Sequence, residues 1–202
     1  GIALVYLFGR QGLIPELLFG HEIYGPIGIV IAEVFYTLPH ALIIIMTALS
    51  IADARLYEAA VALRTSKVRT FFTVTLPGAR YGLISSAFVV FTLVITDFGV
   101  PKVIGGGYNV LATDIYKQVI GQQNFQMGAV VSLILLFPAA LAFFIDRAVQ
   151  KKQVAALSAR AVPLVPNPSK RFDMIMFAYA CLVSVFVLGI LATCQYAALV
   201  EF

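Results

Sequence analysis

The sequence predicts an all-α protein, a polytopic bundle of membrane helices, and three observations predict it. Hydrophobic residues make up 61% of the 202 residues and charged ones only 12%, against roughly 45–50% and 25% in an ordinary soluble domain. The apolar residues gather in segments close to the ~20 residues that cross about 30 Å of hydrocarbon. The basic residues fall in alternate loops between those segments. Such a chain has too little polar surface to coat a soluble globule, so its solvent is lipid.

Four segments have the required length: Pro26–Leu49, Gly78–Thr96, Gly128–Ile145 and Met174–Gln195. Gly1–Phe8 is apolar but short, and reads as the end of a helix in a fragment of a longer protein. It lacks the basic start and cleavage site of a signal peptide. Gly9–Gly25 is expected outside, with a short surface helix at Ile14–Phe19. Arg55, Arg64, Lys67, Arg69 and Arg80 lie between the first two spans. Arg147, Lys151, Lys152, Arg160, Lys170 and Arg171 lie between the last two, so two loops hold eleven of the fourteen basic residues. By the positive-inside rule Ser50–Pro77 and Asp146–Asp173 are cytoplasmic, and Asp97–Met127 is external. The formal charge of +4 is then a topology signal, and a nucleic-acid partner is not expected.

The loops carry the finer expectations. Ser50 and Asp53 have capping-box spacing, which predicts a helix from about Ile51. Leu56, Ala60, Leu63 and Lys67, then Thr70, Phe71 and Val74, recur at helical spacing with Lys and Arg among the rest. This predicts an amphipathic helical hairpin across the inner face, with Pro77 opening the next span, where a missing N–H costs little. On pattern alone a protein-docking hairpin and a surface helix in the headgroups both remain open. Gly105-Gly106-Gly107 lacks the Lys-Ser/Thr of a phosphate-binding loop and reads as a flexible external loop. Pro163, Pro166 and Pro168 favour extended backbone. They divide the chain into a first membrane domain (residues 1–149), a cytoplasmic linker (150–172) and the first helix of a second membrane domain (173–202).

Few residues offer chemistry. Glu33 and His40, seven apart, share a face of the first full span, and Asp97 closes the second. Intramembrane carboxylates are costly and tend to face cavities or partners. A place on a transport pathway and a purely internal hydrogen bond are both open for them. Cys181 and Cys194 lie in an apolar span, where Cys acts as a small hydrophobe. No catalytic constellation, metal-ligand cluster or cofactor motif is present in the sequence.

One pattern is more specific. Glu58-Ala59-Ala60 is followed, after three residues and at the preserved distance, by Arg64, Val74 and Leu76-Pro77. It resembles the cytoplasmic loop of binding-protein-dependent ABC permeases: Glu-Ala-Ala, three residues, Gly, nine residues, Ile/Val, any residue, Leu-Pro. The Gly position holds Arg64. If the backbone there needs a positive φ, a non-Gly residue costs roughly 1 kcal/mol or more. The resemblance covers about Gly1–Arg147. It implies a type I ABC importer transmembrane bundle in the bacterial inner membrane, with no cofactor of its own and ATP hydrolysed by a separate cytoplasmic subunit. A periplasmic substrate-binding protein would deliver the solute. The loop would dock on the ATPase, with Glu58 as anchoring carboxylate and Ala59–Ala60 allowing close approach.

A narrower likeness joins it. Phe71-Phe72-Thr73-Val74-Thr75-Leu76-Pro77-Gly78-Ala79-Arg80-Tyr81-Gly82, Thr96-Asp97-Phe98-Gly99-Val100-Pro101-Lys102 and Tyr108-Asn109-Val110-Leu111-Ala112-Thr113 are similar to permeases for 2-aminoethylphosphonate. Those proteins and the related ferric-iron permeases often fuse two permease domains. This implies phosphonate transport, with ferric iron as the alternative. A secondary transporter, the rival of another class, would need broken helices and ion-coordinating residues at mid-membrane, for which Glu33 and His40 are the only hint.

Overall fold

A computed structural model describes residues 24–156, 162 and 169–200, and its elements are helices. We number them α1 (Pro26–Ser50), α2 (Ala54–Ala62), α3 (Lys67–Thr70), α4 (Leu76–Thr96), α5 (Gly99–Ile104), α6 (Leu111–Tyr116), α7 (Phe125–Ala156) and α8 (Lys170–Val200). Two π-helical turns, Phe71–Thr75 and Lys117–Gly121, lie before α4 and after α6. Four helical stretches among the described residues are long and apolar enough to cross a membrane: Pro26–Ser50, Lys67–Thr96, Phe125–Lys152 and Lys170–Thr193. The first three contain an expected span whole, and Lys170–Thr193 holds all but the last two residues of Met174–Gln195. The surface helix expected at Ile14–Phe19 falls outside the described residues.

The spans run past their hydrophobic cores because nothing stops them locally. α4 is the clearest case, since α3, the π turn and α4 form one stretch from Lys67 to Thr96. Pro77 therefore does not open a helix, as expected from sequence, but sits inside one. A proline in a helix interior lacks a donor and its ring collides with the carbonyl four residues back. The wide turn at Phe71–Thr75 just precedes it, with the Leu76 N–H reaching Phe71 O. Such a turn relaxes the carbonyl ladder there and lets the helix continue.

The chain forms two compact units. One comprises residues 24–34, 97–114 and 169–200 of the described chain. Its core is Ala32 and Ile104, with Tyr24, Val100 and Val103 packed against them. The Gly25 N–H donates to Ile104 O at 3.0 Å, tying the start of α1 to the end of α5. The glycine run is an ordered turn here. Gly105 N–H closes on Pro101 O, Tyr108 N–H closes on Gly105 O, each at 2.9 Å, and Gly106 takes the positive φ of 58°. α8 exposes nearly all of its described side chains.

The other unit comprises residues 35–96, 115–156 and 162. Its helices meet through small residues. Ala79, Gly82, Ser85 and Ser86 are the buried positions of α4, and Ala139 and Ala142 are buried on α7. In lipid there is no hydrophobic force to join helices, so close backbone approach supplies the attraction. α1 comes close to α4 at one point, where a Cβ at Gly82 would overlap the Ala48 side chain. We predict that Gly82→Leu destabilises the unit by about 1–3 kcal/mol through overpacking. Gly78→Ala, which meets nothing within 4 Å, should leave stability unchanged or raise it slightly. Thermal melting of the purified full-length permease, compared for both variants, checks this pair.

Candidate functional site

The conspicuous feature between spans is the turn from α2 to α3. Its helix α2 starts at Ala54, three residues later than the capping-box spacing suggested. Ser50 ends α1 and donates to Thr47 O at 2.8 Å, while Asp53 is the N-cap of α2, its side chain accepting from Arg55 N–H at 3.1 Å. The Ala54 N–H, another donor without an intrahelical acceptor, reaches Val162 O at 2.9 Å.

The end of α2 explains the spacing of its residues. Leu63 is the C-cap. Beyond it Arg64 N–H donates to Val61 O at 2.9 Å and Thr65 N–H donates to Ala60 O at 3.0 Å. These two bonds define a Schellman motif, which places a left-handed residue after the cap. That residue is Arg64, with φ of 51°. The position held by Gly in the family pattern is thus the left-handed position of a helix stop, and this chain fills it with a side chain that pays the steric cost.

Side chains lock the turn from both sides. Thr65 Oγ1 donates to Ala60 O at 2.7 Å and pairs with Thr70 Oγ1 at 3.0 Å. Ser66 caps α3 by accepting from Arg69 N–H at 3.3 Å. Tyr57 OH donates to Thr75 Oγ1 at 3.1 Å, pinning α2 to the π turn eighteen residues later. Among the residues singled out from sequence, Ala60 is buried inside the turn, whereas Glu58, Ala59 and Arg64 are exposed. Leu76 and Pro77 lie at the top of α4, also exposed. Val61 and Leu63, each 77% exposed, and Val68 add exposed apolar side chains to the same turn. These apolar side chains share the exposed surface of the segment with Glu58 and with Arg55, Arg64, Lys67 and Arg69, a mixed surface suited to docking.

The polar residues of the spans are disposed differently. Glu33 is buried at 4% exposure, with Asp97 near its carboxyl. Asp97 also accepts from Val100 N–H at 2.8 Å, so it holds the first turn of α5. His40 is exposed. Its Nδ1 is 3.3 Å from Tyr36 O, and its ring is tilted 59° to that of Tyr36. One polar cluster escaped the sequence reading. Ser85 Oγ donates to the Asp146 carboxylate, and Gln150 Nε2 donates to the same carboxylate at 2.8 Å. No local pattern marks a pair 61 residues apart; only the antiparallel register of α4 and α7 creates it.

Comparison with known proteins places these features in a family. The profile of the binding-protein-dependent transport system inner membrane component family matches residues 1–154. The ferric transport system permease protein FbpB of Actinobacillus pleuropneumoniae is 31% identical over 72% of the chain and 22% of its own length. The molybdenum transport system permease protein ModB of Azotobacter vinelandii is 32% identical over 68% of the chain and 64% of its own length. PhnU of Salmonella typhi, named for 2-aminoethylphosphonate transport, is 27% identical over 66% of the chain and 50% of its own length. The chain spans under two thirds of each of these relatives.

Because Arg64 occupies a left-handed position, Arg64→Gly should stabilise the turn by about 1 kcal/mol, and Arg64→Val should destabilise it by at least as much. Hydrogen exchange at the Leu63, Arg64 and Thr65 amides of the full-length protein should slow in the first variant and quicken in the second.

Proposed function

The chain belongs to the binding-protein-dependent transport system inner membrane component family, and we propose that its residues Glu58–Pro77 couple an ATPase to the membrane helices. The observation that carries this reading is the α2–α3 turn. A Glu-Ala-Ala helix ends in a Schellman stop at the family's Gly position, on the basic side of the membrane, with its acidic and apolar side chains outward.

The chain itself performs no chemistry in this reading. Its helices form a pathway that opens alternately to each side, driven by ATP binding and hydrolysis in a separate cytoplasmic subunit. A periplasmic binding protein brings the solute. Closure of the ATPase pushes the loop as a rigid body, the kind of switch alternating access requires. The turn suits that task, because the bonds from Tyr57 to Thr75 and from Thr65 to Ala60 and Thr70 make α2 and the base of α4 one piece. A push on Glu58 is delivered to the span. Family membership removes the support for a secondary transporter, which needs no binding protein or ATPase.

For docking, Ala59 and Ala60 divide the work. Ala59 is exposed and permits close approach of a partner, whereas Ala60 is buried and holds the turn. Glu58→Ala and Ala59→Trp should therefore release the ATPase and abolish uptake while the membrane helices stay folded and inserted. Loss of one partner from a partly buried charged contact costs a few kcal/mol, which lowers subunit affinity by about tenfold to several hundredfold. Detergent co-purification of the full-length permease with its ATPase is the measurement. Retained ATPase and normal uptake in both variants would reduce the loop to a surface helix.

For the solute we infer 2-aminoethylphosphonate, supported by the likeness of three sequence stretches to such permeases and by PhnU among the relatives. A ferric-iron reading is favoured by FbpB, which matches more of the chain at higher identity. Calorimetry of the cognate binding protein decides between them. Heat of binding with 2-aminoethylphosphonate and none with ferric ion is expected, and the reverse pattern overturns the assignment.

A further inference from the structure

α4 and α7 leave an apolar groove along one flank of their contact. It is lined by Ala87, Phe88 and Phe91 of α4 and by Pro138, Leu141, Ala142 and Ile145 of α7, and it encloses about 300 Å³. Every lining side chain is hydrocarbon. The two sets of residues recur at helical spacing, so each forms a stripe along its helix.

Both stripes continue towards the cytoplasmic ends of the helices, and both end on a cation. On α4 the stripe Phe91, Ala87/Phe88, Ile84 runs on to Arg80. On α7 the stripe Pro138, Leu141/Ala142, Ile145, Val149 runs on to Lys152. Arg80 and Lys152 are both exposed. The Ser85–Asp146 hydrogen bond sets the register of the antiparallel pair. Arg80 lies five residues before Ser85 and Lys152 six after Asp146, so the two cations stand at the same level. The Asp146 carboxylate accepts from neutral Ser85 and Gln150 and keeps its own charge, more than a helical turn from both cations along α4 and α7. Arg80 is further held against the Tyr81 ring, 4.7 Å from its centroid.

The dimensions match one leaflet. Eleven residues separate Arg80 from Phe91, about 16 Å of helix at 1.5 Å per residue, and half of a ~30 Å hydrocarbon core is about 15 Å. The groove occupies the part of that length farther from the cations, and the apolar stripes continue from it to Arg80 and Lys152, a surface that complements an acyl chain below a negatively charged headgroup. We propose that this groove is a binding site for an anionic phospholipid of the cytoplasmic leaflet, one acyl chain lying between α4 and α7 and the phosphate between Arg80 and Lys152. Basic sites between membrane helices on the cytoplasmic side recognise anionic headgroups in this way. The lipid would brace the helix that carries the loop of the proposed ATPase contact, although the site stands whether or not that contact does.

The test is native mass spectrometry of the full-length permease in detergent, titrated separately with phosphatidylglycerol and phosphatidylethanolamine of matched chains. Wild type should bind phosphatidylglycerol more tightly, with one lipid retained at the lowest concentrations. Arg80→Gln with Lys152→Gln should weaken that preference by roughly tenfold or more, at about fivefold for each cation. Ala87→Trp fills the groove from an exposed position, and should weaken both lipids while thermal melting in detergent stays near wild type. Equal affinity for the two lipids in wild type, or binding unchanged in both variants, would overturn the proposal. So would cross-linking of an Ala87→Cys variant, lacking Cys181 and Cys194, to another protein in native membranes, since the groove would then be a helix interface. ATPase docking enters none of these readouts, so failure here leaves the coupling loop untouched.

Discussion

Hydrocarbon contains no water, so each backbone N–H and C=O within it must find a partner inside the protein. That constraint shapes every span of this chain. It favours long unbroken helices, and it makes each interruption a local problem requiring a local solution. Hydroxyl side chains turn inward to their own helix for the same reason: Thr47 to Ile43 O at 2.7 Å, Thr92 to Phe88 O at 2.9 Å and Ser132 to Gly128 O at 2.8 Å. An isolated hydroxyl in lipid would cost several kcal/mol, and these bonds remove most of that penalty without a second helix. Pro77 is met by the π turn that precedes it.

Outside the spans the constraint is the opposite one, because a chain must be made to stop being helical and reverse. The α2–α3 turn does so with a Schellman stop, and the stop demands a left-handed residue. Arg64 there shows that the demand belongs to the backbone and not to the glycine usually found at it. Its neighbours supply what the strained residue forfeits: Thr65 and Ser66 bond the ends of both helices, and Tyr57 ties α2 to the π turn. A stiff turn can transmit displacement, whereas a strained turn without those bonds would absorb it.

Between the spans, attraction rests on closeness. Lipid tails are as apolar as leucine, so burial of leucine against leucine gains little, and small residues such as Ala48, Gly82 and Ala142 let backbones meet. Where the helices do not meet, larger side chains flank a slot, as Phe88, Phe91 and Leu141 do. The Ser85–Asp146–Gln150 cluster holds the cytoplasmic ends of α4 and α7 in one register. Packing and groove are two consequences of one helix pair.

By itself the sequence determined the solvent of this protein, the number and approximate limits of its spans among the described residues, and the loop whose spacing resembles the family pattern. Those features are local: apolar length must match a fixed thickness, and the Glu58-Ala59-Ala60 to Leu76-Pro77 spacing lies within one loop. Its boundary errors were local as well. Ser50 closes α1 instead of capping α2, and Pro77 lies inside a helix, because side-chain bonding and carbonyl geometry, invisible to periodicity, set where a helix starts or persists. Only the tertiary structure decided that Glu33 is buried, that Ala60 faces inward while Ala59 faces out, that Arg64 is left-handed, and that Ser85 reaches Asp146. The physical reason is that hydropathy selects a helix for lipid without selecting its rotation or its neighbours. In a solvent as apolar as the side chains, rotation and register follow from shape and from a few hydrogen bonds between distant residues.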